Sequence, residues 1–259
     1  MRPVRIIRGL GGNGSTFISR VVATIENIVL LSEINPSTAN LFAFALNPVI
    51  QIEKNYSHLK FDFYKGNMVE LGSPKLFRKY IDLLLAECNS IRYDIVIRDY
   101  SYVDYIGMPF IWAPPEKSSL DEALNNLQTF EILIIRHPIS QFLSLVSHAE
   151  LKNVLDTATF LRGYRIMLDR HRSALVARFE DLFATFDQKM PELMAHLRLS
   201  LSSDWKARIP SVDWVTGNEF GKTSTQPEAT SRKLNSEIRE LFRPIADYQL
   251  ICRECGYDP

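Results

Sequence analysis

Five short runs of Ile, Val and Leu constrain this chain more than any other feature. They are VRIIR at Val4–Arg8, IVLLS at Ile28–Ser32, YDIVIR at Tyr93–Arg98, EILIIR at Glu131–Arg136 and ALVARF at Ala174–Phe179. A strand wet on one face alternates apolar and polar residues, whereas a strand covered on both faces reads as a continuous apolar run, as these do. Between them lie stretches with helical spacing: Ser15–Glu26, Pro74–Cys88, Pro138–Glu150 and Thr157–His171. Alternation of strand and helix predicts an α/β fold of three layers, a central parallel sheet flanked by helices. With 259 residues, 46% of them hydrophobic, the expectation is a single domain over residues 1–259.

Three segments read as excursions from the sheet. Asn35–Gly72 carries Phe42, Phe44, Tyr56, Phe61, Phe63 and Tyr64; Gly107–Lys117 carries Pro109, Pro114 and Pro115; Ser200–Ser231 carries Trp205 and Trp214. Long irregular segments in a compact domain tend to be functional, so the first and last are expected to form an acceptor site or lid. The aromatics of the first could equally pack as a small core of its own.

Bulk composition narrows the function classes. Lys+Arg and Asp+Glu are both 30, and a chain that tracks a nucleic-acid backbone generally carries a basic surplus, so no nucleic-acid partner is expected. Cys88, Cys252 and Cys255 are too few for a disulfide framework, and the CxxC at 252–255 lacks the second pair a zinc site needs. No apolar stretch reaches the roughly 18 residues of a membrane span, and the N-terminal MRPVRIIRGL does not read as a signal peptide. A soluble, cytoplasmic protein is the expectation.

In parallel sheets ligands bind at the carboxyl ends of the strands. Polar groups stand at those ends here: Arg8, Glu33, Arg98 with Asp99, Arg136 with His137, and Glu180 with Asp181. The first strand runs into GLGGNGST, Gly9 to Thr16, just before a helix. Such a turn points backbone N–H groups inward, and the helix N-terminus behind it favours an anion. Three loops fit the string. A Walker loop fails, because Ser15 occupies the lysine position and no Asp ends the strand Glu131–Arg136. A dinucleotide loop fits Gly9, Gly11 and Gly14 as G-x-G-x-x-G, with Glu33 near the place of the ribose-binding acid. The third candidate is a phosphosulfate loop.

Downstream residues bear on that choice. Arg136 ends a strand, Pro138 suits the first turn of a helix, and Ser144 follows eight residues after the arginine. That layout can aim a guanidinium and a hydroxyl at one phosphate. R-x-P-x-x-x-x-x-S after a buried strand resembles the 3′-phosphate motif of the sulfotransferase superfamily, whose donor is 3′-phosphoadenosine 5′-phosphosulfate (PAPS). Asn13-Gly14-Ser15-Thr16-Phe17 is similar to that family's 5′-phosphosulfate loop, Phe179-Glu180-Asp181-Leu182 to its aromatic-Glu-Asp-Leu, and TGNEFGK, Thr216–Lys222, to its late loop over the 3′-phosphate. The resemblance runs in order through nearly the whole chain. It implies a fold like that of P-loop nucleotide kinases and transfer of a sulfuryl group from PAPS to a hydroxyl of a small-molecule or carbohydrate acceptor, leaving adenosine 3′,5′-bisphosphate (PAP). It further implies that Gly11, Gly12, Asn13, Gly14, Ser15, Thr16, Arg136, Ser144, Gly217, Asn218 and Lys222 bind the nucleotide, without a metal.

One position departs from the family pattern. Gly12 stands where these enzymes usually place a Lys or Arg, with Arg8, Arg20 and Arg98 as candidate substitutes. A catalytically impaired PAPS- or PAP-binding relative therefore stays open beside the transferase, as does an NAD-binding oxidoreductase. Two strand-end carboxylates, Glu33 and Asp99, are the candidate bases, Glu33 preferred. Glu180 and Asp181 are expected to organise the site by holding arginines.

Overall fold

All five apolar runs form strands. The computed structural model describes residues 2–39, 46–61, 72–107, 114–217 and 236–259. In chain order its elements are β1 (Val4–Arg8), α1 (Ser15–Ala23), β2 (Ile28–Ile34), α2 (Pro48–Asn55), α3 (Pro74–Ser90), β3 (Asp94–Asp99), α4 (Tyr102–Tyr105), α5 (Ser119–Ala123) and β4 (Thr129–Ile135). There follow α6 (Pro138–Leu145), α7 (Thr157–Arg170), β5 (Leu175–Arg178), α8 (Phe179–Ala184), α9 (Phe186–His196), α10 (Trp205–Arg208), α11 (Ser236–Phe242) and α12 (Ala246–Cys255). The strands make one parallel sheet in the order β2-β3-β1-β4-β5.

The pleat divides the strand side chains between two helical layers. Ile7, Leu30, Val96, Ile132 and Ile134 pack with Ile18, Val21 and Val22 of α1 and Met190 and Leu193 of α9. On the other face Ile6, Leu31 and Ile97 meet Phe77, Ile81 and Leu84 of α3, while Leu133 and Ile135 meet Phe160, Leu161 and Tyr164 of α7. Burial on both faces is why the runs lack alternation.

Two helices are shorter than their periodicity predicts. The first stops at Ala23 rather than Glu26, and the one after β4 stops at Leu145 rather than Glu150. At the first stop the Thr24 hydroxyl donates to the Val21 carbonyl at 2.7 Å, a local bond that competes with the next helical turn.

The segment after β2 closes one edge of the sheet. The Leu30 amide donates to the Tyr56 hydroxyl at 2.8 Å, and the Ser32 amide and carbonyl exchange bonds with the Gln51 side chain at 2.7 and 2.6 Å. Edge amides that would otherwise face water are thereby paired. Tyr56 and Phe61 belong to the main core beneath β2, not to a separate one. Phe42, Phe44, Phe63 and Tyr64 lie outside the described residues. Among the described residues, no helix is long and apolar enough to cross a membrane.

Candidate active site

The glycine turn joins β1 to α1. Gly12 and Gly14 take φ of 76° and 86°, left-handed values that cost a Cβ-bearing residue. Asn13 braces the turn: its Nδ2 donates to the Ile134 carbonyl at 2.9 Å, and its Oδ1 accepts the Ser15 amide at 3.0 Å. The first turn of α1 holds no carboxylate, so nothing within the helix offsets its positive end.

Beside that end stands Arg98, from the end of β3. Its Nε donates to Ser15 Oγ at 3.2 Å, and its Nη2 to Thr16 Oγ1 at 2.9 Å and Glu33 Oε1 at 2.7 Å. Its Nη1 reaches the Thr216 carbonyl at 2.9 Å, tying the Thr216–Gly217 segment to the turn. Burial pulls the Arg98 guanidinium below its ordinary pKa, with the Glu33 carboxylate opposing. Glu33 sits where the β2–β3 register shifts between Ser32 and Ile34, with φ of 57°. Such bulges re-aim a side chain, and here the carboxylate turns toward the head of α1. Gly217 closes the group: a Cβ there would lie 3.2 Å from both Glu33 Oε1 and Thr16 Oγ1. Of the late-loop residues, Gly217 thus meets the Ser15–Thr16 side; Asn218 and Lys222 lie outside the described residues.

Asp99 and Arg8 do not converge there, because the pleat sends neighbours to opposite faces. Asp99 points away from Arg98, into a buried network. It accepts from Arg8 Nη1 and from Ser101 Oγ, both at 2.7 Å, and has no exposed side-chain surface. Burial raises its carboxyl to about 6, Arg8 opposing and Asp104 adding to the rise. Of the two candidate bases, Asp99 is thus enclosed away from the turn, while Glu33 stands beside it with part of its side chain exposed. Arg8 is likewise enclosed, held by Asp99, Asp121 and Glu131. Asp121, Glu131 and His171 bring ligand atoms within 4.8 Å of one another, yet the Arg8 cation already lies against both carboxylates. Arg20 is buried too and donates to the Ile209 carbonyl at 2.9 Å. Of the three candidate cations, Arg98 is the one at the turn.

Arg136 and Ser144 meet at Gly12. Arg136 Nη1 donates to the Gly12 carbonyl at 3.0 Å, and a Cβ on Gly12 would lie 3.0 Å from Ser144 Oγ and Cβ. The space a side chain at position 12 would enter is filled by Ser144. Phe179 joins this corner, with the Arg136 guanidinium 4.7 Å above its ring centre and a Cβ on Gly14 only 2.1 Å from its ring edge.

Of the two carboxylates after Phe179, one pairs with an arginine and the other does not. Asp181 pairs with Arg178 at 2.9 Å, whereas Glu180 accepts from the His137 amide at 2.9 Å and the Tyr257 hydroxyl at 3.0 Å. His137 packs against Tyr248 and Tyr257, and burial lowers its pKa.

Sequence reasoning missed Gln141, a buried side chain whose Nε2 donates to the carbonyls of Leu10 and Gly11 at 2.8 and 3.0 Å. A polar residue on the inward face of an amphipathic helix was the available signal.

Topology separates two of the loop readings. A dinucleotide fold sets its second strand beside the first, but here β3 lies between them. No protein-family model matches the sequence, and no curated protein matches it. Solved structures do match. The sulfotransferase domain from the curacin biosynthetic pathway aligns over 99% of this chain and 98% of its own, with TM-score 0.63 at 14% identity. The sulfotransferase domain of the Synechococcus PCC 7002 olefin synthase aligns over 100% and 96%, with TM-score 0.62 at 16% identity. With its parallel sheet in the order 2-3-1-4-5 and a glycine turn after the first strand, the chain has a P-loop-like fold similar to that of these two sulfotransferase domains.

Proposed function

We propose that this protein is a PAPS-dependent sulfotransferase acting on a hydroxyl of a small-molecule or carbohydrate acceptor. One observation carries the reading: Arg136 and Ser144, the pair expected to take the 3′-phosphate, meet at Gly12 of the same turn whose far end carries Ser15, Thr16 and Arg98. A nucleotide with anions at its 3′ and 5′ positions fits two such adjoining corners.

In that reaction the acceptor oxygen attacks sulfur, the S–O bond to the 5′-phosphate breaks, the acceptor proton goes to a base and PAP leaves. The amides of Gly11, Gly12, Asn13 and Gly14 and the hydroxyls of Ser15 and Thr16 hold the 5′ end. Arg98 supplies positive charge for the leaving phosphate, in place of the side chain that Gly12 lacks. Glu33, on its bulge beside Arg98, is the base, positioned to take the acceptor proton as charge develops. Gly217, Asn218 and Lys222 are assigned to nucleotide binding, and the segments 35–72 and 200–231 to the acceptor site.

Arg136→Ala tests the assignment by calorimetric titration with PAP. Loss of a charge-assisted phosphate contact is worth about 1.5–3 kcal/mol, so PAP affinity falls at least tenfold. Unchanged affinity in a folded variant would show that the arginine does not face the nucleotide.

A further inference from the structure

We infer that Gln141 is a positioning residue that turns the glycine loop into a three-amide anion nest, so that the loop grips its oxyanion with backbone N–H groups beside the Arg98 cation. The inference rests on the sulfotransferase reading for the identity of that anion, but not for the nest.

Across a planar trans peptide, the carbonyl of one residue and the N–H of the next point in opposite directions. Three consecutive carbonyls are held on the protein side of the turn: Gln141 Nε2 takes those of Leu10 and Gly11, at 2.8 and 3.0 Å, and Arg136 Nη1 takes that of Gly12, at 3.0 Å. The next amides, of Gly11, Gly12 and Asn13, therefore face the other way.

Backbone handedness agrees independently. Gly12 and Gly14 have left-handed φ, while Gly11 and Asn13 do not. Alternation of that kind makes successive N–H groups converge on one concavity suited to an anion. The concavity opens beside the head of α1, where Arg98 and the Ser15 and Thr16 hydroxyls stand.

Gln141 is poorly explained as packing. It is fully buried on α6, between core residues, and its Oε1 has no partner among the described residues. An apolar side chain of similar volume would fill the position without stranding an acceptor. The reverse amide orientation would set Oε1 against two carbonyl oxygens, so both donors are committed to the loop.

The test uses the full chain, isotope-labelled, with the amide signals of Gly11, Gly12 and Asn13 followed by NMR during titration with inorganic sulfate and with PAP. In the wild type the three signals shift together with either anion. Gln141→Met keeps the volume and removes the donors. It should lower PAP affinity at least tenfold and abolish the shared shift, while affinity for adenosine 3′-monophosphate, which lacks the 5′ anion, changes less than twofold. Gln141→Glu, which sets a carboxylate against the two carbonyls, gives the same pattern and serves if the Met variant does not fold. Silent amides in the wild type with every anion overturn the proposal, as does an unchanged shift in a folded variant or an equal loss for both nucleotides. A response to sulfate with no tighter binding of PAP would leave the nest standing and overturn the PAPS reading. Tight PAP binding with silent amides would do the reverse.

Discussion

Gly12 is the residue at which this chain departs most from the pattern its motifs suggest. Restoring a cation there should fail. A non-glycine residue at its φ of 76° costs about 1–2 kcal/mol, and the new Cβ would press on Ser144, 3.0 Å away. Gly12→Lys is expected to lower both melting temperature and PAP affinity, read by calorimetry; tighter PAP binding would mean that Arg98 does not fill the role. The two candidate bases separate just as sharply. Glu33→Gln should reduce sulfuryl transfer by about 10²- to 10⁴-fold, whereas Asp99→Asn should act through stability. Asp99 binds its proton more tightly when folded, at about 6, than in the unfolded chain, at about 3.9. Its contribution is therefore fully present below about pH 4 and is lost as pH rises through about 6. The melting temperature of Asp99→Asn, relative to wild type, should rise across that window in a series of scans. A constant gap would contradict the burial argument.

At the scale of elements, the strands were legible because burial on both faces leaves short, continuous runs of Ile, Val and Leu between stretches of helical spacing. The run at Val4–Arg8 is β1 to the residue, and those at Tyr93–Arg98 and Glu131–Arg136 differ from β3 and β4 by one or two residues at each end. What could not be read was the phase of each pleat against the helices. Arg98 and Asp99 are neighbours in sequence, yet one faces the glycine turn and the other a buried arginine, depending on which layer α1 occupies. Gln141 was hidden for a related reason: its partners are carbonyls, which carry no sequence identity. The helix end at Ala23 was missed because a local bond from the Thr24 hydroxyl, not a break in periodicity, marks it. Packing between α7 and α4 gives a test at this scale. Gly163 lies within α7, where a Cβ would fall 2.7 Å from the Tyr105 carbonyl oxygen and 2.8 Å from Ile106. Alanine gains up to about 1 kcal/mol in helix propensity, but overpacking costs about 1–3 kcal/mol. Gly163→Ala should therefore destabilise the protein in urea, and stabilisation would show that the two helices separate readily.

For the whole molecule, the claim is that one sheet edge presents two anion corners on a single turn, one built on Arg136 and Ser144 and the other on Arg98, Ser15 and Thr16. Strand order removes Glu33 from the place where a dinucleotide's ribose would need it, and the backbone matches sulfotransferase domains over nearly the full length of both chains. A ligand that binds the native state raises the melting temperature with the logarithm of its concentration over its dissociation constant. Thermal unfolding with saturating PAP, against the same protein with NAD(H), thus tests the account most directly. The account predicts a clear upward shift with PAP and none with NAD(H); stabilisation by NAD(H) alone would contradict it.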